Sequence, residues 1–381
     1  MKSVKNYLVD KEHEMLALIE RLVNIDSGSH NKDGIDEVGR ILSEEYKKLN
    51  FTVEVVKEEN NGNNLLIRHS DSKETNLIAV AHMDTVFKDG TASERPFKIE
   101  NERAYGPGVI DMKSSQVALL YAIKALKENN KQSFKDVRIV LNSDEEIGSG
   151  TSRHLIEQEA KGKKYALIME PARKDGSLVS SRRGGGRYTL FVKGKAAHSG
   201  IEPQNGISAI EEVAYKVLQL HALTNHDEGI NVSVGLIEGG DSVNTIAPSA
   251  VAHVDVRISK IEQAEFIDEK IREICSKSDV EGTTIELTGG LNRPPMVKND
   301  ETISFLDIIR EVGNKVGINI TDIGTGGGSD ASFTSALGVP TVDGLGPVGG
   351  NPHSVDEYLE VPTLVERTNL LAELIERLSE K

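Results

Sequence analysis

Five short segments of the 381-residue sequence carry His, Asp or Glu, most of them at the end of an apolar run. They are AHMDT at 81–85, GVIDM at 108–112, NSDEEIG at 142–148, MEP at 169–171 and NPHSVDE at 351–357. In a strand the side-chain period is two, so His82 and Asp84 share a face. Asp84 can then accept a hydrogen bond from the imidazole and fix its tautomer, the usual support for a metal-bound histidine. Alone, this pair also fits an ordinary surface strand end. Asp111 stands just before a helical stretch, where an aspartate either caps the helix or holds a cation. In Asp144–Glu145–Glu146 adjacent carboxylates repel and raise one another's pKa. The run reads as a solvated acidic turn or as a cation site, in which one of Glu145 and Glu146 binds metal and the other acts as general base. Glu170 ends an apolar run before a proline, a costly place for a carboxylate that is neither paired nor liganded. His353 lies in a Gly/Pro loop. Together these residues point to a metal site with a general base beside it, and imidazole with carboxylate but no thiolate suits Zn, Co or Mn.

Such side chains need a scaffold that aims them at one point. Met15, Leu18, Ile19, Leu22 and Val23 recur at helical spacing between Lys11 and Ile25. Short apolar runs at 65–67, 77–81, 137–141 and 166–169 alternate with helical stretches at 114–126 and 152–159. That alternation predicts an α/β sheet with parallel character, whose strand ends are where small molecules bind. After Ser181 the texture changes. RRGGGR at 182–187 reads as a hinge. A strand over YTLFVKG, a helix at 207–220, strands at 232–237 and 250–258, a helix at 262–275 and a strand at 284–287 follow. This β-α-β-β-α-β order is that of a small α+β sandwich. RPPM at 293–296 reads as the return linker, after which the α/β texture resumes to a last helix at 362–378. The expected organisation is a discontinuous α/β domain, 1–183 with 295–381, and an inserted domain at 184–294.

The net charge of −15 argues against a nucleic-acid partner, because phosphate binding needs clustered Lys and Arg. The single cysteine, Cys275, allows no intrachain disulfide and sits in an apolar-periodic stretch as core filler. MKSVKNYLVDKEHEML lacks the apolar segment of a signal peptide, and no run is long enough to span a bilayer, so the expected location is the cytoplasm, with no membrane partner.

In order, AHMDTV, GPGVIDMK, NSDEEIGS, MEP and PHSVDE resemble the M20 family of metallopeptidases, and within it the glutamate carboxypeptidase (carboxypeptidase G) branch, over essentially the whole chain. The resemblance implies a zinc-peptidase catalytic domain, with a mixed, mostly parallel sheet flanked by helices, and an inserted ferredoxin-like dimerisation domain, hence a homodimer. It implies two Zn2+ per subunit, with Co2+ or Mn2+ as substitutes. Asp111 would bridge the metals, His82 and Glu170 complete one site, and Glu146 and His353 the other. Glu145 would be the general base, acting on a water between the metals, and Asp84 would orient His82. GKAAHSG matches the motif whose histidine, here His198, enters the partner subunit's active site. Asn244, Arg257, Arg293 and the backbone around Gly328 match groups that hold substrate, and a guanidinium fork suits a carboxylate. The implied substrate is a small peptide or N-acyl amino acid, cleaved to release a C-terminal residue such as Glu or Asp. The alternatives within the superfamily are an N-acyl amino acid deacylase of the acetylornithine or succinyl-diaminopimelate type and an aminotripeptidase. A non-catalytic metal-dependent binding protein is the alternative of another class, and the presence of Glu145 weighs against it.

Overall fold

The computed structural model describes residues 3–380; Met1, Lys2 and Lys381, the outermost residues of the expected α/β domain, lie outside the described residues. Contacts divide the chain into two units, one of 1–181, 298–325 and 329–381, the other of 182–297 and 326–328.

In the larger unit, a helix over Val4–Val23 buries Leu8, Met15, Ile19 and Leu22, residues seven, four and three apart that form one apolar stripe. Ser3 caps it, its hydroxyl accepting from the Asn6 amide at 3.2 Å. That helix packs with Ser114–Glu128 and Val361–Leu378 into a helical layer. The main sheet has six strands in the order Phe51–Val56, Asn64–His69, Val137–Asn142, Leu77–His82, Tyr165–Ile168, Thr341–Val342. The last four run parallel, and Asn64–His69 is antiparallel to both its neighbours, Phe51–Val56 and Val137–Asn142, so the sheet is mixed. Leu77–His82 and Val137–Asn142 are buried along their whole length, which is why both read as unbroken apolar runs. A second, small antiparallel sheet joins Gly349–Gly350, Tyr358–Glu360, Arg103–Tyr105 and Lys98–Glu100.

The smaller unit is a four-stranded antiparallel sheet in the order Asn231–Gly239, Ser249–Ile258, Gly184–Lys193, Thr284–Arg293. Helices Ala209–His221 and Gln263–Cys275 pack against it. Alternate residues of Ser249–Ile258, from Ala250 to Ile258, are buried with Tyr188, Leu190, Ile267, Ile271 and Cys275 in a core of their own. Cys275 is core filler, as expected.

The glycines read as a hinge are not one. Gly184, Gly185 and Gly186 open the central Gly184–Lys193 strand, paired on both sides. Their missing side chains make room for neighbouring backbone: a Cβ on Gly186 would lie 2.1 Å from the Gly290 carbonyl oxygen, and one on Gly185 2.5 Å from that of Val256. The run is glycine because chains pass close, not because the backbone must bend.

Candidate metal centre

Adjacent parallel strands deliver their carboxyl ends to one place. His82 ends Leu77–His82, Glu145 and Glu146 form a short 3-10 turn just past Val137–Asn142, and Glu170 lies just past Tyr165–Ile168. Asp111 arrives on the turn that follows Arg103–Tyr105, and His353 on the loop between Gly349–Gly350 and Tyr358–Glu360; both come from the small antiparallel sheet. Gly108 makes the Asp111 turn with φ +71°, where a Cβ would strike the Thr85 methyl at 2.5 Å. Asn351 and His353 also have positive φ, 55° and 63°. Non-glycine residues hold that conformation where surrounding contacts over-determine it, which is common in sites.

All five segments of the sequence reading therefore meet. Asp111 lies between the two imidazoles: its Oδ1 is 3.1 Å from His82 Nε2 and its Oδ2 3.2 Å from His353 Nε2. Glu146 Oε2 is 3.2 Å from the same His353 nitrogen, and Glu170 Oε1 is 3.8 Å from His82 Nε2. Ligand atoms of His82, Glu145 and Glu170 lie within 4.8 Å of one another, as do those of His82, Asp111 and Glu146. Asp111 does not cap the helix that follows, whose N-cap position is Lys113 and which has no side-chain cap bond.

The electrostatics are those of excess negative charge out of water. Burial and then the charge of Asp111 push Glu170 well above the usual carboxylate range, and burial is also the first cause of the rise at Glu146. Burial acts on Asp111 in the same direction, but bonds from His353 and His82 outweigh it and hold that carboxyl low. Burial would lower His82, yet Asp111 and Asp84 carry it well above the usual range. His353 is raised to about 10 by Asp111 and Glu146. Protons or cations must neutralise such a cluster. Divalent ions fit the donor set: two imidazoles, four carboxylates and no thiolate, with one oxygen of Asp111 toward each imidazole. Glu146 Oε1, buried and without a hydrogen-bond partner among the described residues, is an acceptor that a cation would satisfy.

Asp84 differs in detail from the expectation. His82 Nδ1 sits 2.9 Å from the main-chain carbonyl oxygen of Asp84 and 3.3 Å from its carboxylate. The carboxylate also accepts from the Ser29 hydroxyl at 2.7 Å and from the amides of Glu145 and Glu146 at 3.2 Å. Asp84 thus ties the His82 strand to the turn bearing both glutamates. Asp144, the first acid of the DEE run, is structural: it is buried and accepts from Thr151 N–H at 2.7 Å and from the Ser152 hydroxyl.

Sequence reasoning missed Glu357. This buried carboxylate accepts from the amides of Gly108, Ile110 and Asp111 at 3.0, 2.9 and 3.0 Å, fixing the turn that presents Asp111. Burial raises its pKa to about 7. It is the last residue of the NPHSVDE segment, and the one available signal was an acid close behind the histidine.

The remaining candidates belong to the smaller unit. His198 is exposed in the loop after Gly184–Lys193, its Nδ1 accepting from the Gly200 amide at 3.1 Å. Asn244 is exposed and its Oδ1 accepts from the Ser242 hydroxyl at 2.6 Å. Arg257 and Arg293 both pair in register with Gly185, from opposite sides, so they share one face of the sheet with no side chain between them. Arg257 already grips Asp255 with two bonds, at 2.9 and 3.0 Å. A Cβ on Gly328 would meet Arg293 Cδ at 2.6 Å.

A sequence profile of Peptidase family M20/M25/M40 matches residues 78–377. Carboxypeptidase G2 of Pseudomonas sp. (strain RS-16) is 29% identical over 96% of this chain and 89% of its own. Succinyl-diaminopimelate desuccinylase of Dechloromonas aromatica (strain RCB) is 28% identical over 89% of this chain and 92% of its own. The crystal structure of the M20 family metallo-carboxypeptidase Sso-CP2 from Sulfolobus solfataricus superposes with a TM-score of 0.78 at 19% identity, covering 95% of this chain and 98% of that one.

Proposed function

The chain belongs to Peptidase family M20/M25/M40, and on that premise we propose that it is a two-metal carboxypeptidase, cleaving a small peptide or N-acyl amino acid to release a C-terminal residue, Glu or Asp for preference. The observation that carries the reading is Asp111, whose two carboxylate oxygens face His82 and His353 at 3.1 and 3.2 Å within a group of glutamates. The likeness to carboxypeptidase G2 along the chain supports the choice of carboxypeptidase.

His82 and Glu170 would hold one ion, Glu146 and His353 the other, and Asp111 both; zinc is the proposed metal, with cobalt or manganese able to replace it. When bound, such ions supply Lewis-acid polarisation and make water acidic enough to react near neutral pH. Glu145 takes the proton of the attacking water as the C–O bond forms and the carbonyl oxygen gains negative charge, and then delivers that proton to the nitrogen, so that the C–N bond breaks and the amine leaves as the carbonyl re-forms. Asp84 holds the His82 ring and the backbone of Glu145 in register with each other. His198, from a second copy, stabilises the developing oxyanion, and Asn244, Arg257, Arg293 and the backbone around Gly328 hold the substrate's carboxylate end.

The second copy would join through the smaller unit, as a homodimer. Its Asn231–Gly239 strand is an edge and exposes Leu236 and Ile237, and its Ala209–His221 helix exposes Ile210, Tyr215 and Leu218. No helix among the described residues is long and apolar enough to cross a membrane, and we place the protein in the cytoplasm.

The test is amine release from dipeptides, N-acyl glutamates and N-acetyl or N-succinyl amino acids, by chelated protein with Zn2+ or Co2+ restored. Metal-dependent release of C-terminal Glu or Asp is expected. The likeness to a desuccinylase favours a deacylase as second reading, and preference for acetyl or succinyl amino acids would select it. Tripeptide cleavage from the amino end would select an aminotripeptidase. Ligand binding without turnover, at full metal occupancy, would mark a binding protein.

A further inference from the structure

Beside the metal centre, within the larger unit, lies a cavity of about 510 Å³, a size typical of small-molecule pockets. Three of its lining residues adjoin proposed metal ligands in sequence: Ile110 precedes Asp111, Pro171 follows Glu170 and Pro352 precedes His353. Ile110, Pro171, Ile323 and Pro352 make its wall apolar, while Arg173 and Lys174 add two cations. Lys174 is held in place: its stem lies against Gly350, where a Cβ would approach its Cε to 2.8 Å, and its ammonium donates to Asn351 Oδ1 at 2.8 Å. Asn351 is neutral. Asp175 lines the same cavity as its one acid; it is exposed, accepts from the Ser177 amide at 3.0 Å and feels the charge of Arg173. Among the described residues neither Arg173 nor Lys174 has a carboxylate within ion-pair distance.

Two cations against the single acid Asp175 at an apolar cavity are unusual in a chain of net charge −15, whose overall field repels anions. The released residue's carboxylate is already assigned to Arg257 and Arg293, so a second basic pair calls for a second anion. We propose that this cavity is the acyl-side subsite and that it takes an acyl group bearing its own carboxylate, of the succinyl or glutaryl kind or the side chain of an acidic residue before the scissile bond. The methylenes lie on the apolar wall, and the carboxylate meets the Arg173 fork and the Lys174 ammonium. The assignment rests on the hydrolytic reading above and adds a charge requirement on the half of the substrate which that reading leaves open.

The experiment compares N-succinyl and N-succinamoyl derivatives of one amino acid, which differ only in a terminal carboxylate or carboxamide. Wild-type protein and the Arg173→Gln/Lys174→Gln double variant are both used with metal restored. Both positions are exposed, so the variant is expected to fold normally. For the wild type, kcat/KM should favour the succinyl compound by ~10-fold or more, as a charge-assisted pair provides. In the variant the succinyl value should fall to the succinamoyl value, itself within ~2-fold of wild type. Equal losses on both compounds, or no loss on either, would overturn the assignment. Calorimetry of succinate binding to the two metal-loaded proteins separates this question from catalysis. Weaker binding in the variant supports the subsite even if no compound is turned over, an outcome that would refute only the hydrolytic reading. Unchanged binding overturns the subsite whatever the turnover.

Discussion

At the scale of single residues, the site works by holding like charges together, and each residue that makes this tolerable should leave a measurable trace. Glu357 fixes three amides of the turn that carries Asp111. Glu357→Ala should therefore weaken metal binding by ~10-fold or more, in line with other residues that support metal ligands. Competition against a chelator reads this, with circular dichroism checking the fold. Unaltered affinity would reduce Glu357 to a packing role. Protons give a second trace. Asp111 and Glu146 raise His353 to about 10, and Asp111 and Asp84 raise His82. Near pH 7 both imidazoles of the metal-free protein hold protons that an ion must displace, so metal binding should strengthen from pH 6 to pH 8. Calorimetry in buffers of different ionisation heat should detect proton release on zinc uptake, and its absence would contradict these ligands. The five segments that meet in the structure were legible in sequence because each carries its His or acid in a short local pattern. Ser29 and Glu357 were not: they act on Asp84 and on the Asp111 turn from 55 and roughly 250 residues away along the chain, and no local pattern records such a pairing.

Elements were legible where periodicity was strong and illegible where spacing was set by a neighbouring chain. The buried strands at 77–82 and 137–142 announced themselves as apolar runs, whereas the Thr341–Val342 strand is too short to show a period. The glycine run at 184–186 was misread because glycine serves bending and close approach alike. The reading of close approach makes a sharp prediction. Gly186→Ala sets a methyl against the Gly290 carbonyl in the middle of the sheet and should cost about 2 kcal/mol, the scale of overpacking. A shift in the denaturant midpoint of the smaller unit would measure it. A variant as stable as wild type would return these glycines to the role of flexible joint.

For the whole molecule, the β-α-β-β-α-β order and the return of α/β texture after residue 300 made two bodies of structure readable from one sequence. The mixed direction of the main sheet was less so, because Asn64–His69 alone runs against the other strands and apolar runs carry no sign of direction. The proposed dimer would use the exposed apolar residues of the smaller unit. Leu218 is 72% exposed on the Ala209–His221 helix, near the edge strand bearing Leu236 and Ile237. If a second copy covers this face, Leu218→Asp should turn a dimer into a monomer in light scattering, with metal content unchanged. A wild-type monomer at micromolar concentration, or a variant that still dimerises, would move the interface elsewhere.

The centre's division of labour turns on Glu145, which lies close enough to His82 and Glu170 to serve as a ligand instead of a base. The decisive measurement counts bound metal and amide turnover together in Glu145→Gln. As general base, its loss should leave two ions per chain and lower kcat by ~100-fold or more. Turnover near the wild-type rate, or the loss of one ion from the variant, would contradict the assignment.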